Sequence, residues 1–258
     1  MEGFVEAPVA LRHAGALEVR VHADAAAMGR AAAQDIADAL RQTIAAQGAA
    51  RMVFAAAPSQ AQMMAALVAM PGLPWDRVTA FHMDDYLGLP PEAPQRFGNW
   101  LDRHLFAQLP FHAVHRIPAQ GDPARICAEY EALLRAAPLD ILCFGIGVNG
   151  HLAFNDPPVA DFDDPAWVKV VELDQTCRQQ QVDDGCFPDY ASVPARAITL
   201  TIPCLMAARV RIGTVPGAHK RAALAAVLHG PIATACPASI LRRHPSRLHI
   251  DAKADPDA

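Results

Sequence analysis

The feature that most constrains the fold of this chain is a repeated alternation of short apolar strands and amphipathic helices. A first strand, Leu17–Val21, precedes an alanine-rich helix at Ala25–Ala46, for which Asp24 is a suitable N-cap. Strands at Arg51–Ala57 and Val78–Met83 follow, with a second helix between them and short connections. Such connections pair strands in parallel, so the sequence predicts an α/β fold with a doubly wound, mostly parallel sheet and helices on both faces.

The same alternation continues after Pro90, Pro91 and Pro94, which disfavour regular structure. The further predicted strands are Leu139–Phe144, Val168–Leu173, Ala197–Thr201 and Val210–Val215. The further predicted helices are Phe97–Leu105, Ala124–Ala136, Gln175–Val182 and Ala218–Leu228. We expect one domain over residues 1–258, because no repeat or low-complexity linker divides it, and a disordered polar tail at 252–258.

Charge and composition exclude several classes of protein. The formal net charge of -5 gives no basic surface for nucleic acid or an anionic membrane, and neither is an expected partner. There is no apolar run of about 20 residues and no secretion signal, so we expect a soluble cytoplasmic protein, monomeric or homo-oligomeric. The six cysteines contain no Cys-x-x-Cys pair, and no histidines show ligand-like spacing, so no metal and no cofactor are expected.

Two adjacent carboxylates, Asp84 and Asp85, follow the third predicted strand. Successive side chains of a strand point to opposite faces, so only one of the two can face a given pocket. Partial burial at a strand end raises the pKa of a carboxyl group, which suits a general base. On local grounds, a cap of a helix or turn is an equally good interpretation of the pair.

The loop Gly145–Pro158 follows another buried strand, and its glycines permit close approach of backbone N–H groups to a ligand. Their spacing matches the Gly-x-Gly-x-x-Gly pattern of dinucleotide-binding folds, but the prolines at the end of the loop prevent the helix that should follow. His151 is a candidate proton shuttle, since Asp156 and Asn149 can set its tautomer. A histidine hydrogen-bonded within a turn is the alternative.

Two basic residues are candidate ligand contacts. Lys220 follows the turn Pro216–Gly217 at the start of a predicted helix, where backbone N–H groups favour an anion. Arg178 lies in the dense polar cluster Thr176–Gln181, which suggests that these side chains hydrogen-bond to some partner. A solvated lysine and a solvated arginine are the alternatives.

Two of these segments resemble motifs of the glucosamine-6-phosphate deaminase/isomerase family. Phe81–Pro90 is similar to Phe-Asn-Met-Asp-Glu-Tyr-x-Gly-Leu-Pro, and Gly145–Pro157 is similar to Gly-x-Gly-x-Asp-Gly-His-x-Ala-Phe-Asn-Glu-Pro. A third segment, Ala238–Pro245, resembles the Ala-Ser-x-Leu-x-x-His-Pro ending of the family. The resemblance covers nearly the whole chain.

The resemblance implies an enzyme that converts an amino sugar phosphate, such as glucosamine 6-phosphate, to fructose 6-phosphate and ammonia. By position, Asp84 is the base that moves a proton between C2 and C1, and Lys220 holds the phosphate. His151 opens the pyranose ring, with Asp156 polarising it and Asn149 in the same catalytic relay. We also assign substrate binding to Ser59, Gln60, Asp85, Gly150 and Arg178.

The chain departs from the family pattern at three places. A Thr-Gly-Gly-Thr-Pro phosphate loop is replaced by Ala55–Gln60, in which alanine resists positive φ, proline has no N–H and Ser59 supplies one hydroxyl. Asn149 stands where most members have aspartate, and Val182–Asp184 occupies the region of a second family arginine. Acid–base chemistry at a sugar is therefore better supported than the identity of the sugar.

Three alternatives stay open. 6-Phosphogluconolactonases share the fold and a Gly-x-Gly-x-Asp-Gly-His loop, but here the loop continues Leu152–Pro157 instead of Ser-Leu-Phe-Pro, and the Asp84 segment lacks their Asp-Glu-Arg. The second alternative is a related enzyme that acts on a non-phosphorylated amino sugar. The third, a sugar-phosphate-binding regulator, would need a helix-turn-helix, for which we find no spare segment.

Overall fold

A computed structural model of the chain describes residues 7–258, so residues 1–6 of the predicted domain lie outside it. The strands are β1 Ala10–Ala14, β2 Leu17–His22, β3 Ala50–Phe54, β4 Val78–His82, β5 Asp84–Tyr86, β6 Ala113–His115, β7 Ile141–Phe144, β8 Val168–Glu172, β9 Arg196–Leu200, β10 Val210–Val215 and β11 Ser246–Asp251. The α-helices are α1 Ala25–Gln47, α2 Ala61–Ala69, α3 Phe97–Leu101, α4 Pro123–Arg135, α5 Gln175–Asp183, α6 Ile202–Met206 and α7 Arg221–His229. None of these helices is long and apolar enough to cross a membrane.

Eight strands form one central sheet in the order β1-β2-β11-β10-β7-β3-β4-β6. Every neighbouring pair is parallel except β1 and β2 at one edge. The predicted mostly parallel α/β fold is therefore confirmed. Because parallel strands end at the same edge of a sheet, the loops after β3, β7 and β10 converge there.

Both faces of the central sheet are covered by helices. Val53 of β3 and Leu142 of β7 belong to a core that includes buried residues of α4, α6 and α7. Their neighbours Met52 and Ile141 belong to a second core, with buried residues of α1 and α2. Adjacent residues of one strand enter different cores because successive side chains point to opposite faces.

The first helix begins and ends as its sequence predicts. The Asp24 side chain accepts a hydrogen bond from the N–H of Ala27, which caps the start of α1. Gly48, with a φ of 82°, ends it in the left-handed conformation that glycine adopts at low cost. The predicted cap is confirmed.

Two predicted strands, Val168–Leu173 and Ala197–Thr201, lie outside the central sheet. As β8 and β9 they form a separate antiparallel sheet in the order β5-β9-β8. The chain passes from one sheet to the other at Met83, whose N–H donates to Phe54 of β3 and whose carbonyl accepts from Leu200 of β9. The local sequence of a strand indicates how buried the strand is, but not which strand it pairs with. Strand patterns alone therefore do not reveal the second sheet.

The structure also contains elements that the sequence did not predict and an ordered tail. Four strands, β1, β5, β6 and β11, and the helix α6 had no prediction. The expected disorder of the tail at 252–258 is wrong, because Ala254 and Asp255 are buried. The Ala252 N–H donates to the carbonyl of His22, and the Asp255 carboxylate accepts from Arg12, so this polar segment packs against the first strands.

Candidate active site

One pocket, with a volume of about 320 Å³, lies where the loops after β3, β7 and β10 meet the start of β5. This volume is in the range of small-molecule sites. Its titratable and polar lining residues are Ser59, Asp84, Gln95, Arg103, His151, Gln180, Gln181, Asp184, Cys186 and Lys220. Four of the ten predicted site residues are therefore among those that line it: Ser59, Asp84, His151 and Lys220.

Asp84 is the first residue of β5, just after the chain leaves the central sheet. Its side chain is almost completely buried, yet it lines the pocket and accepts no hydrogen bond from side chains or backbone groups of residues 7–258. Burial, followed by the charges of Asp85 and Asp156, raises the pKa of Asp84 well above its usual value. An unpaired carboxyl group of this kind is suited to take and return a proton.

Asp85 points away from the pocket, and the structure contradicts its predicted contact with substrate. Its Oδ2 accepts a hydrogen bond from Arg96 at 2.9 Å. Its Oδ1 accepts from the backbone N–H groups of Tyr86 and Phe97 at 2.9 and 3.0 Å. Asp85 thus binds the first residues of α3, which agrees with the alternative interpretation of this carboxylate as a cap.

His151, Asp156 and Asn149 form one cluster in the loop after β7. His151 Nδ1 lies 2.9 Å from Asp156 Oδ1, although its N–H does not point straight at that oxygen. Asn149 donates to the same oxygen at 2.9 Å and accepts from the His151 backbone N–H at 3.1 Å. Burial raises the pKa of Asp156, but its contacts with His151 and Asn149 outweigh burial, and the net pKa is lowered. An ionised Asp156 therefore orients the imidazole, and Asn149 holds both residues from outside the pocket.

Two glycines of this loop serve packing. A Cβ at Gly147 would lie 2.1 Å from Cε1 of His151, so only glycine leaves room for the ring. Gly150 has a φ of 81°, and a Cβ there would lie 2.7 Å from Sγ of Cys236. Gly150 does not line the pocket, which contradicts its predicted contact with substrate. Its place in the motif is explained by this turn and by the contact with Cys236.

Lys220 is the buried cation of the pocket, only 3% exposed. Gly217, with a φ of 96°, turns the chain before it, and its N–H donates to Asp251 Oδ1 at 2.9 Å. Burial lowers the pKa of Lys220 to about 8, with Asp184 acting in the opposite direction. Within residues 7–258 its ammonium forms no ion pair closer than 4.0 Å, so it is available to an anionic ligand.

Ser59 and Gln60 lie in a short 3₁₀ turn after β3 but face different ways. Ser59 lines the pocket. Gln60 is fully buried, and its amide exchanges two hydrogen bonds with Thr214 of β10, at 2.9 and 3.1 Å. The predicted contact of Gln60 with substrate is therefore contradicted, because its amide joins the turn after β3 to strand β10.

Arg178 also lies outside the pocket, contrary to its predicted role. Its guanidinium donates to the carbonyls of Tyr190 and Val193 and stacks over the Tyr190 ring at 4.1 Å. These contacts hold the segment between α5 and β9. Other residues of the same polar cluster, Gln180 and Gln181, line the pocket instead.

Sequence reasoning missed three pocket residues at the end of α5: Gln180, Gln181 and Asp184. Gln180 accepts from the N–H of Val148, and Gln181 accepts from the hydroxyl of Tyr86, at 2.9 and 2.8 Å. Residues 177, 180, 181 and 184 follow helical spacing and share one face. Polar residues at core spacing were the signal that could have identified them.

Hydrogen bonds with β9 position both Asp84 and the loop that carries His151. Asp84 pairs with Thr199 in the β5–β9 register. The Thr199 hydroxyl accepts from the N–H of Phe154, and Asn155 Nδ2 donates to the carbonyl of Leu200 at 2.7 Å, so the His151 loop is held by the same strand. The turns that carry Ser59 and Lys220 follow β3 and β10 of the central sheet.

The family model described as glucosamine-6-phosphate isomerases/6-phosphogluconolactonase matches residues 23–250. The chain belongs to this family. The resemblance inferred from the sequence motifs is thereby confirmed. The glucosamine-6-phosphate deaminases of Bacillus thuringiensis strain Al Hakam and Bacillus anthracis strain A0248 are each 35% identical to it over 172 residues. That match spans 66% of this chain and 63% of the length of those relatives.

Solved structures of family enzymes share the fold. A monomeric glucosamine-6-phosphate deaminase has a TM-score of 0.84 at 24% identity, over 92% of this chain and 98% of that one. The 6-phosphogluconolactonase of Trypanosoma brucei has a TM-score of 0.74 at 17% identity, over 95% and 98%. The 6-phosphogluconolactonase of Thermotoga maritima has a TM-score of 0.73 at 17% identity, over 90% and 98%. Enzymes with two different activities therefore share this architecture.

Proposed function

We propose that this chain is an aldose–ketose isomerase that deaminates an amino sugar phosphate such as glucosamine 6-phosphate, giving fructose 6-phosphate and ammonia. The observation that carries the proposal is the shared pocket of Asp84, His151 and Lys220. It combines an unpaired carboxyl group, an imidazole oriented by a carboxylate and an unpaired buried cation. The named relatives with 35% identity are deaminases, which supports this choice.

In the proposed reaction, His151 and Asp84 each take up a proton at one substrate atom and release it at another. His151, oriented by Asp156, moves a proton from the anomeric hydroxyl to the ring oxygen and opens the pyranose. Asp84 removes the proton from C2 as the C1 carbonyl oxygen gains a proton, which gives an enolamine. Asp84 then returns its proton to C1 as the nitrogen loses one, which gives a C2 imine. Water then adds to C2 and ammonia leaves. The raised pKa of Asp84 makes its carboxylate a stronger base for the transfer from carbon.

The anionic end of the substrate is assigned to Lys220 and Ser59, which line the same pocket. A phosphate there would meet the ammonium, the Ser59 hydroxyl and backbone N–H groups of the turns that precede α2 and α7. Asp184 also lines the pocket and adds a negative charge. A phosphate dianion should therefore bind less tightly here than in a pocket with two cations and no carboxylate.

The decisive experiment is a substrate comparison with purified protein. Ammonia and ketose phosphate should form from glucosamine 6-phosphate, and free glucosamine should react with a much higher KM. Hydrolysis of 6-phosphogluconolactone without ammonia release would replace the proposal with the lactonase alternative. Turnover of free amino sugars with no advantage from the phosphate would assign the non-phosphorylated alternative.

A further inference from the structure

Three buried groups meet behind the His151 ring. They are the imidazole of His151, the carboxylate of Asp156 and the thiol of Cys177 on α5, and one ligand atom from each lies within 4.8 Å of the others. Asp156 and Cys177 are fully buried, and His151 is 9% exposed. The proposed reaction uses His151 and Asp156 but gives no role to Cys177.

Two atoms of this cluster, Nδ1 of His151 and Oδ2 of Asp156, are buried without a well-aligned hydrogen bond among residues 7–258. Nδ1 lies 2.9 Å from Asp156 Oδ1 but its N–H points off that oxygen, and the Cys177 thiol lies beside the Asp156 carboxylate. Buried polar atoms are nearly always satisfied in folded proteins, and each exception calls for an explanation such as an ion. Both atoms belong to groups that bind metals, and they lie next to a thiol.

We propose that His151, Asp156 and Cys177 form a binding site for a zinc ion, which reaches it through the substrate pocket and inhibits the enzyme. An imidazole, a carboxylate and a thiolate are ligands that zinc prefers. The imidazole lines the pocket, which gives the ion a path. The ion inhibits because it holds the ring that would otherwise open the sugar.

The distances fit with small movements. Ligand atoms of tetrahedral zinc lie about 3.4–3.6 Å apart, as follows from metal–ligand bonds of about 2.0–2.3 Å. The nitrogen and oxygen, now 2.9 Å apart, would separate by roughly half an ångström, and the sulfur would approach by at most about 1.4 Å. The second oxygen of Asp156 or a water molecule completes the coordination.

The charges of the proposed site also balance. Zinc displaces the thiol proton of Cys177 to solvent, the proton of the His151 ring moves from Nδ1 to Nε2, Zn–S and Zn–N bonds form, and no electron is transferred. The thiolate and the Asp156 carboxylate then neutralise the two positive charges of the ion. Metal binding itself is independent of the proposed reaction, and only the inhibition rests on it.

Cobalt(II) titration of the metal-free protein tests the site by absorption, without any assay of turnover. Bound cobalt should give a thiolate-to-metal charge-transfer band in the near ultraviolet, and zinc should displace it. Cys177→Ser should remove the band, and the matched variant Cys186→Ser should keep it, since Cys186 is the thiol that lines the pocket. Cys177→Ala is a second variant in case serine disturbs folding, which thermal melting would reveal.

Several results would overturn the site: no band in the wild-type protein, a band that survives in folded Cys177 variants, or a band lost in Cys186→Ser. In the activity assay, Cys177→Ser should raise the zinc concentration needed for half-inhibition by about 10-fold or more. Inactivity of the wild-type protein on every sugar would contradict the proposed function but leave the cobalt band as evidence for the site.

Discussion

The two ends of the pocket are built differently. The end with Asp84 and His151 is fastened to β9 of the three-stranded sheet and keeps the residues of the family motifs. The end with Ser59 and Lys220 follows strands of the central sheet, and its first loop, Ala55–Ser59, has no glycine. The proposed reaction type thus rests on the end with Asp84 and His151, and the proposed substrate rests on the end with Ser59 and Lys220.

The two ends also differ in their electrostatics. At the first end a buried carboxyl group has no partner, and its pKa is raised. At the second end a buried ammonium has a lowered pKa and shares the pocket with Asp184. Substitutions at the first end should therefore change kcat, and substitutions at the second should change KM.

The largest expected effect is that of Asp84→Asn, which should lower kcat by about 10²- to 10⁴-fold and leave KM nearly unchanged. The amide cannot take the C2 proton, but it fills the same space. Ammonia release at varied substrate concentration measures both constants. Nearly normal turnover would remove Asp84 from the mechanism and erase the difference between the two ends.

The same substitution one residue later, Asp85→Asn, is the matched control. It breaks the buried pair with Arg96, so the free energy of unfolding should fall by about 3–5 kcal/mol, as measured by urea denaturation. Its folded fraction should keep much of its kcat, since the side chain does not reach the pocket. A specific loss of kcat at unchanged stability would contradict the assignment of the two carboxylates.

At the second end, Lys220→Gln should raise KM for a phosphorylated amino sugar by about 10- to 100-fold, because a charge-assisted contact to the phosphate is lost. The value of kcat should change much less. The unphosphorylated sugar is the control, and its KM should stay the same. An equal effect on both sugars would mean that Lys220 does not contact the phosphate.

The pH dependence of KM gives a smaller effect at the same residue. Lys220 has a lowered pKa of about 8, so it loses its proton, and with it the attraction for phosphate, as pH rises through that value. KM for the phosphorylated sugar should rise about five-fold over the first pH unit above the pKa, because the protonated fraction of Lys220 falls by that factor. Lys220→Arg stays charged and should abolish this rise. A flat KM in the wild-type protein would contradict the assigned anion contact.

The smallest effect is expected for Asp184→Asn, which removes a negative charge from the anion-binding end. KM for the phosphorylated sugar should fall about two- to five-fold, in keeping with a partly exposed charge, and kcat should stay constant. Steady-state kinetics with glucosamine 6-phosphate measure the change. A higher KM would show that the carboxylate itself contacts the substrate.

The sequence predicted five of the eight strands of the central sheet, β2, β3, β4, β7 and β10, because buried parallel strands have strong periodic signals. It missed β11, although this strand lies between β2 and β10. It could not show that β8 and β9 leave the central sheet, since pairing depends on distant residues. The short strands β5 and β6, with three residues each, are too brief for a periodic signal. Polarity at 252–258 suggested disorder, but the partner of Asp255, Arg12, lies at the other end of the chain.

Within the site, motif positions identified Asp84, His151 and Lys220, and the structure brings them to one pocket. Sequence alone could not decide which of the two adjacent carboxylates faces the ligand. Strand alternation shows only that they point to opposite faces. It also could not show that the amide of Gln60 is already paired with Thr214. This hydrogen bond joins residues that are 154 positions apart in the chain, so no local pattern indicates it.

The crossing of the chain between its sheets at Met83 has a consequence for substrate length. A sliding movement of the smaller sheet would carry the base and the imidazole together, because one strand holds both. Their mutual spacing would survive such a movement, while the span from them to the ammonium on the larger sheet would change. The length of a ligand that spans the pocket is therefore set by how the two sheets pack on each other, and the proton-transfer geometry is set by the contacts with β9.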